Sequence, residues 1–155
     1  MSTNKDKIGN IIKIKIDDNT FGFGRIITGG FIEFYDFIST ETQSEDSLEK
    51  IIGSKVIFTL SIHKSWKKNG NWEIIGNNSN DIPNIPDQFM QNLSDPTNIK
   101  IIDSSGSARK ATLEEVQGVE RLAVWEDNHV EDRLRDHFNG KPNAWVEQLK
   151  PKTSN

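Results

Sequence analysis

The alternation in Ile11-Ile12-Lys13-Ile14-Lys15-Ile16 constrains this chain more than any other stretch. Ile12, Ile14 and Ile16 fall on one side of an extended backbone and Lys13 and Lys15 on the other, the period of a strand with one dry and one wet face. Asp17 to Thr20 supply turn chemistry, and Phe21, Phe23 and Arg25 then share one face of a second strand. The intervening Gly22 and Gly24 carry no side chain, so another backbone or a large aromatic can lie close against them. This opening is sheet architecture rather than a reactive centre.

Turn and periodicity signals extend the sheet. Gly29-Gly30 leads into a third strand over Phe31 to Ile38, whose two faces are both apolar enough to require cover on both sides. A polar loop (Ser39 to Ser44) and a short helix near Glu45 to Ile52, ended by Gly53, precede a fourth strand over Lys55 to His63. Lys64 to Asn71 reads as a basic hairpin tip ending in Asn69-Gly70, and Asn71 to Ile75 returns as a fifth strand. Gly76 to Pro96 reads as a long ordered loop, with Pro86 to Met90 as one helical turn that pins Phe89 and Met90 to the core. Two short strands follow, Thr97 to Ile102 and Ala108 to Thr112. Thr112 and Glu115 have capping-box spacing, and Asn128 with Glu131 repeats it before the apolar series Val130, Leu134, Phe138, closed by Gly140. Pro142 opens a last short helix with Trp145 and Leu149 on one face. Strands first and helices afterwards predict an α+β fold: a twisted antiparallel sheet or partly open barrel of 5–7 strands, covered by C-terminal helices. Residues 1–150 are expected to form a single domain, with 151–155 a disordered tail.

Reactive chemistry is sparse. Cysteine is absent, which removes thiolate metal sites and Cys nucleophiles. Phe21 to Arg25 contains Gly-x-Gly, but Ile27 stands where a dinucleotide fingerprint requires Gly, and the segment lies within a hairpin rather than before a helix. His129 and His137 are separated by roughly 12 Å along one helix, and Arg133 lies midway between them, so no metal ligand set is expected there. The adjacent carboxylates Asp17-Asp18, Glu126-Asp127 and Glu131-Asp132 do not face each other. No catalytic residues, metal site or cofactor are therefore assigned. No apolar run is long enough to span a membrane, and the polar start lacks a signal-peptide core, so the cytoplasm is the expected compartment.

The net charge of −4 arises in the second half, where residues 113–136 hold eight acids against Arg121, Arg133 and Arg135. Such a surface repels nucleic acid and attracts basic partners; a solvated helix face is the plainer reading. Trp66, among lysines, either stacks on a nucleic-acid base or folds back over the sheet, the second being favoured.

Several segments in order carry a resemblance: Ile8 to Ile11, Phe21 to Arg25, Glu33 to Asp36, Val56 to Thr59, Trp72 to Gly76, Ile101 to Asp103, Ala111 to Glu115, Gly118 to Glu120, Ala123 to Trp125 and His129 to Leu134. Over roughly 7–146 the series resembles the immunity protein 26 family of bacterial polymorphic toxin systems. The resemblance implies a small cytoplasmic protein encoded beside a toxin domain, which it neutralises by binding. On that reading Glu126, Asp127, Glu131 and Asp132 are candidate contacts, with Glu33, Tyr35 and Asp36 as a second patch and Trp66 beside them. A covered mid-sheet strand is the structural alternative for the second patch. A phosphotriesterase-like hydrolase and a β-rich interaction module for nucleic acid or protein are the alternative functions.

Overall fold

The computed structural model describes residues 4–40 and 48–153. In chain order the elements are β1 (Asn10–Asp17), β2 (Thr20–Thr28), β3 (Phe31–Tyr35), β4 (Ser39–Thr40), α1 (Leu48–Ile52), β5 (Val56–Ile62), a 3₁₀ turn (Lys64–Lys68), β6 (Trp72–Asn77), β7 (Gln88–Gln91), β8 (Ile99–Ile102), β9 (Ala108–Ala111), β10 (Glu120–Arg121), β11 (Val124–Trp125), α2 (Asp127–Phe138) and α3 (Ala144–Leu149). They build two open sheets with a few helices, an α+β fold. The larger sheet runs β11-β5-β3-β2-β1-β6, with β4 beside β2, and the smaller runs β10-β7-β8-β9. Most pairs are antiparallel; β11 on β5 and β10 on β7 are short parallel pairs.

The opening hairpin forms where the alternation places it. Ile14 lies opposite Gly22 and Ile12 opposite Gly24, so isoleucine covers glycine across the strands. Asn19 N–H donates to the Asp17 carboxylate at 3.2 Å and tightens the turn. Ile12, Ile14 and Ile16 join Ile32, Phe34, Phe58, Trp72, Trp125, Val130 and Leu134 in the principal core. The open surface at Gly22 is filled from α2: a β-carbon there would lie 3.3 Å from Leu134 Cδ1. At Gly24 a β-carbon would stand 2.9 Å from the Glu33 carbonyl oxygen, so β3 can approach only because this residue is glycine.

The opposite face of the sheet is also covered. Ile11, Phe23, Tyr35 and Ile51 form a second cluster, which accounts for the two apolar faces of β3. That strand ends at Tyr35 rather than Ile38: its pairing with β5 shifts register between Phe34 and Tyr35. Ser39 and Thr40, expected in a loop, instead pair with Phe21 and Thr20. The predicted helix near Glu45 to Ile52 is present over Leu48–Ile52, and its first residues lie outside those described.

Three further expectations are corrected. Pro86 to Met90 makes no helical turn; Gln88–Gln91 is a strand, with Phe89 fully buried and Met90 44% exposed. An isolated turn gains few hydrogen bonds for the residues it orders, whereas β8 supplies a ladder. The capping box at Thr112 does form, Glu115 N–H donating to Thr112 Oγ1 and Thr112 N–H to Glu115 Oε1, yet no α-helix follows. Gly118, at φ +80°, closes the segment about one turn later, and Val116 fills the small core of Phe89, Ile99, Ile101 and Ala111. The long helix starts at Asp127 rather than after Asn128, with Glu126 as its cap residue but no side-chain cap bond.

Candidate functional site

The acidic segment is largely engaged inside the molecule. Glu120 accepts both Arg133 Nη1 at 3.1 Å and Nη2 at 2.7 Å, a bidentate pair. Glu115 pairs with Arg109 at 2.9 Å, which holds its carboxyl below the usual range. Asp132 takes Arg135 at 2.9 Å and Trp145 Nε1 at 3.2 Å, and Asp136 accepts from Asn143. Asp127 and Glu131, one helical turn apart, both accept from Asn69 Nδ2, at 2.8 and 2.9 Å. Glu131 also accepts Trp72 Nε1 at 2.8 Å and is buried. These bonds pin the 64–71 segment onto α2. Glu126 remains solvent-facing, with His63 Nδ1 3.9 Å away.

The second patch divides between core and surface. Arg25 Nε lies 3.0 Å from Glu33 Oε2, with both side chains buried, and Tyr35 donates its hydroxyl to the same oxygen. Arg25 Nη1 further donates to the carbonyls of Asn78 at 3.1 Å and Asn80 at 3.0 Å. Burial, and then the hydrogen bond to Glu33, push the Tyr35 phenol far above its ordinary pKa. Asp36 reaches the surface, 3.0 Å from His137 Nε2. Trp66 is only 3% exposed, folded back so that its ring centre lies 5.9 Å from that of Trp72. The Lys64–Lys68 turn carries it there, started by Ser65 N–H donating to His63 Nδ1.

The histidines are placed apart. His63 faces Glu126, His137 faces Asp36, and His129 stacks on Trp145 with ring centres 3.7 Å apart. Among the described residues no group of three or more His, Asp or Glu side chains converges as a metal site would require.

A different feature appears where β5 meets the C-terminal helices. A groove of about 390 Å³ has Ile57 and Phe58 on its floor and Lys55, Lys141, Val146 and Lys150 along its walls. Arg133 lies across it with its guanidinium 3.9 Å above the Phe58 ring. A second stretch of about 380 Å³ continues past Ile57, Arg133 and Val146 to Arg121 and Leu149. Sequence reasoning did not bring these residues together, because they lie up to 95 positions apart and only the fold collects them.

Residues 7–98 match the sequence model of immunity protein 26. This chain belongs to the immunity protein 26 family. No curated protein and no solved structure gives a significant match. The family match covers β1 through β7 and so includes the groove floor, whereas the walls from α2 and α3 lie beyond it.

Proposed function

We propose that this protein is a cytoplasmic immunity protein that neutralises a cognate bacterial toxin domain by binding it directly. Family membership over residues 7–98 is the observation that carries the reading. It points to inhibition by association rather than to catalysis. Blocking a toxin requires a surface that is already shaped, because ordering side chains on binding costs affinity. Among the described residues no buried side-chain nitrogen or oxygen lacks a hydrogen-bond partner, so the interior that would support such a surface is fully bonded. A standard interface covers about 800 Å² on each partner. The chain exposes 9252 Å², so an interface of that size would take about a tenth of its surface.

Co-expression tests the reading. The toxin domain encoded beside this protein is expected to arrest growth alone and to lose that effect when the protein is present, with the two co-purifying. A domain that stays lethal beside the folded protein overturns it.

A further inference from the structure

We propose that the groove between β5 and α3 is where the toxin docks, and that it receives an extended, acidic segment of that toxin. The inference rests on the immunity reading above. It begins from charge: the chain carries −4 overall, yet Lys55, Arg133, Lys141 and Lys150 gather on one groove against Glu147, and the stretches that continue it add Arg121 against Glu120 and Asp87. Arg133 is neutralised by Glu120, and Lys150 Nζ lies 2.9 Å from Glu147. Lys55 and Lys141 have no ionic partner among the described residues, and both are exposed. They are therefore cations available to an incoming carboxylate, beside the partly buried Ile57, which offers apolar surface, while Arg133 covers the Phe58 ring.

The shape selects an extended segment. Three contiguous stretches share Ile57: those of about 390 and 400 Å³ follow β5 over residues 55–59, and one of about 380 Å³ leads from Ile57 to Arg121 and Leu149. β11 pairs only with Ser61 and Ile62, so residues 56–59 of β5 have no strand neighbour on that side among the described residues. The amide hydrogen from Ile62 to the Gly30 carbonyl sets the ladder phase, which turns the Thr59 N–H and C=O away from β3. An added strand there gains backbone hydrogen bonds, while the lysines read its acidic side chains. The acidic residues near α2, by contrast, are mostly engaged in the internal bonds described above.

Isothermal titration of the full-length protein with the purified toxin domain, together with growth protection, tests this. Lys55→Glu/Lys141→Glu is expected to weaken binding at least tenfold and to abolish protection; Lys55→Gln/Lys141→Gln should weaken it less. Lys100→Glu/Lys110→Glu makes the same charge change on the smaller sheet and is expected to bind as the wild type does. All four lysines are exposed, so unchanged melting temperatures are expected. Amide exchange at 55–59 should slow in the complex. Wild-type affinity in Lys55→Glu/Lys141→Glu overturns the groove and leaves the immunity reading standing. Loss of binding confined to Glu126→Lys, at the solvent-facing acid of the acidic segment, overturns it in favour of a basic toxin surface. A dimer of the protein alone that Lys55→Glu/Lys141→Glu dissociates makes the groove a self-interface and also overturns it. A wild type that neither binds nor protects removes both proposals.

Discussion

Replacing Arg25 with Met isolates the cost of a stranded charge in this fold. Arg25 and Glu33 are 4% and 3% exposed, and their contact at 3.0 Å is shielded from water on both faces of the sheet. Arg25→Met keeps the volume and leaves Glu33 buried with only the Tyr35 hydroxyl as a donor. Breaking one side of such a pair costs about 3–5 kcal/mol, because the remaining ion is uncompensated. The carbonyls of Asn78, Asn80 and Asp81 also lose Arg25, but Asn80 and Asp81 are exposed and can turn to water, so they add little. A domain of this size holds about 5–15 kcal/mol in total, so the loss is a large share. Arg25→Met/Glu33→Leu/Tyr35→Phe removes every polar member together and should recover most of the stability.

Urea unfolding at constant slope is the measurement, since an unchanged slope shows that the same surface is exposed. The difference between wild type and Arg25→Met should be nearly insensitive to salt, because screening acts on charges that solvent reaches. Arg25→Met within about 0.5 kcal/mol of wild type refutes the reasoning, as does a triple variant no more stable than the single one.

Four further outcomes follow from the same geometry. Tyr35 is the sole tyrosine, and its folded pKa is raised, so its contribution is complete below the unfolded value near 10 and falls above it by up to about 1.4 kcal/mol per pH unit; phenolate absorbance should appear only with unfolding, and Tyr35→Phe should flatten that part of the alkaline limb. Gly24→Ala drives a β-carbon against the Glu33 carbonyl and should cost about 1–3 kcal/mol, more than Gly22→Ala, whose neighbour is the movable end of Leu134; thermal melts compare the two. Leu134→Ala empties a fully buried position over Gly22 and should cost about 2–5 kcal/mol in chemical denaturation. Deleting 113–155 is expected to leave an aggregating fragment, and a soluble, cooperatively melting 1–112 chain would show that the single domain proposed from the sequence is divisible.

What was legible in the sequence was whatever repeats locally. The β1–β2 hairpin follows from the alternation and the turn residues Asp17 to Thr20, but its register does not: a bulge between Lys15 and Asp17 shifts the ladder so that Ile14, and not Lys15, lies opposite Gly22. The apolar positions Val130 and Leu134 likewise predict the buried stripe of α2. Illegible parts depend on partners far along the chain. Two-residue strands such as β10 and β11 have no pattern of their own and exist because β7 and β5 offer free edges. Thr112 and Glu115 satisfy each other fully, yet capping stabilises only a helix that the following residues can continue, and Gly118 stops it. Acid-rich sequence suggested an outward charge, whereas Asn69 and Trp72 arrive from elsewhere in the chain, and Arg133 and Arg135 from within the segment, to take those carboxylates.

The division between matched and unmatched sequence has a structural meaning. Residues 7–98 supply six of the seven strands of the larger sheet, but their apolar face stays open until Trp125, Val130 and Leu134 close it. The C-terminal part therefore does two things with one set of elements. It seals the principal core, and through Arg133, Lys141, Val146 and Lys150 it raises the walls of the basic groove beside β5. Val130 and Leu134 face inward from the same helix that presents Arg133 to Phe58, so helix position and groove geometry are coupled. On the docking proposal, changes at Lys141 or Lys150 retune partner choice without touching the core, because both side chains are exposed. Changes at Val130 or Leu134 would instead disturb stability and the groove together. Partner choice is thus expected to be shared between Lys55 and the β5 edge, inside the family match, and Lys141 and Lys150, outside it.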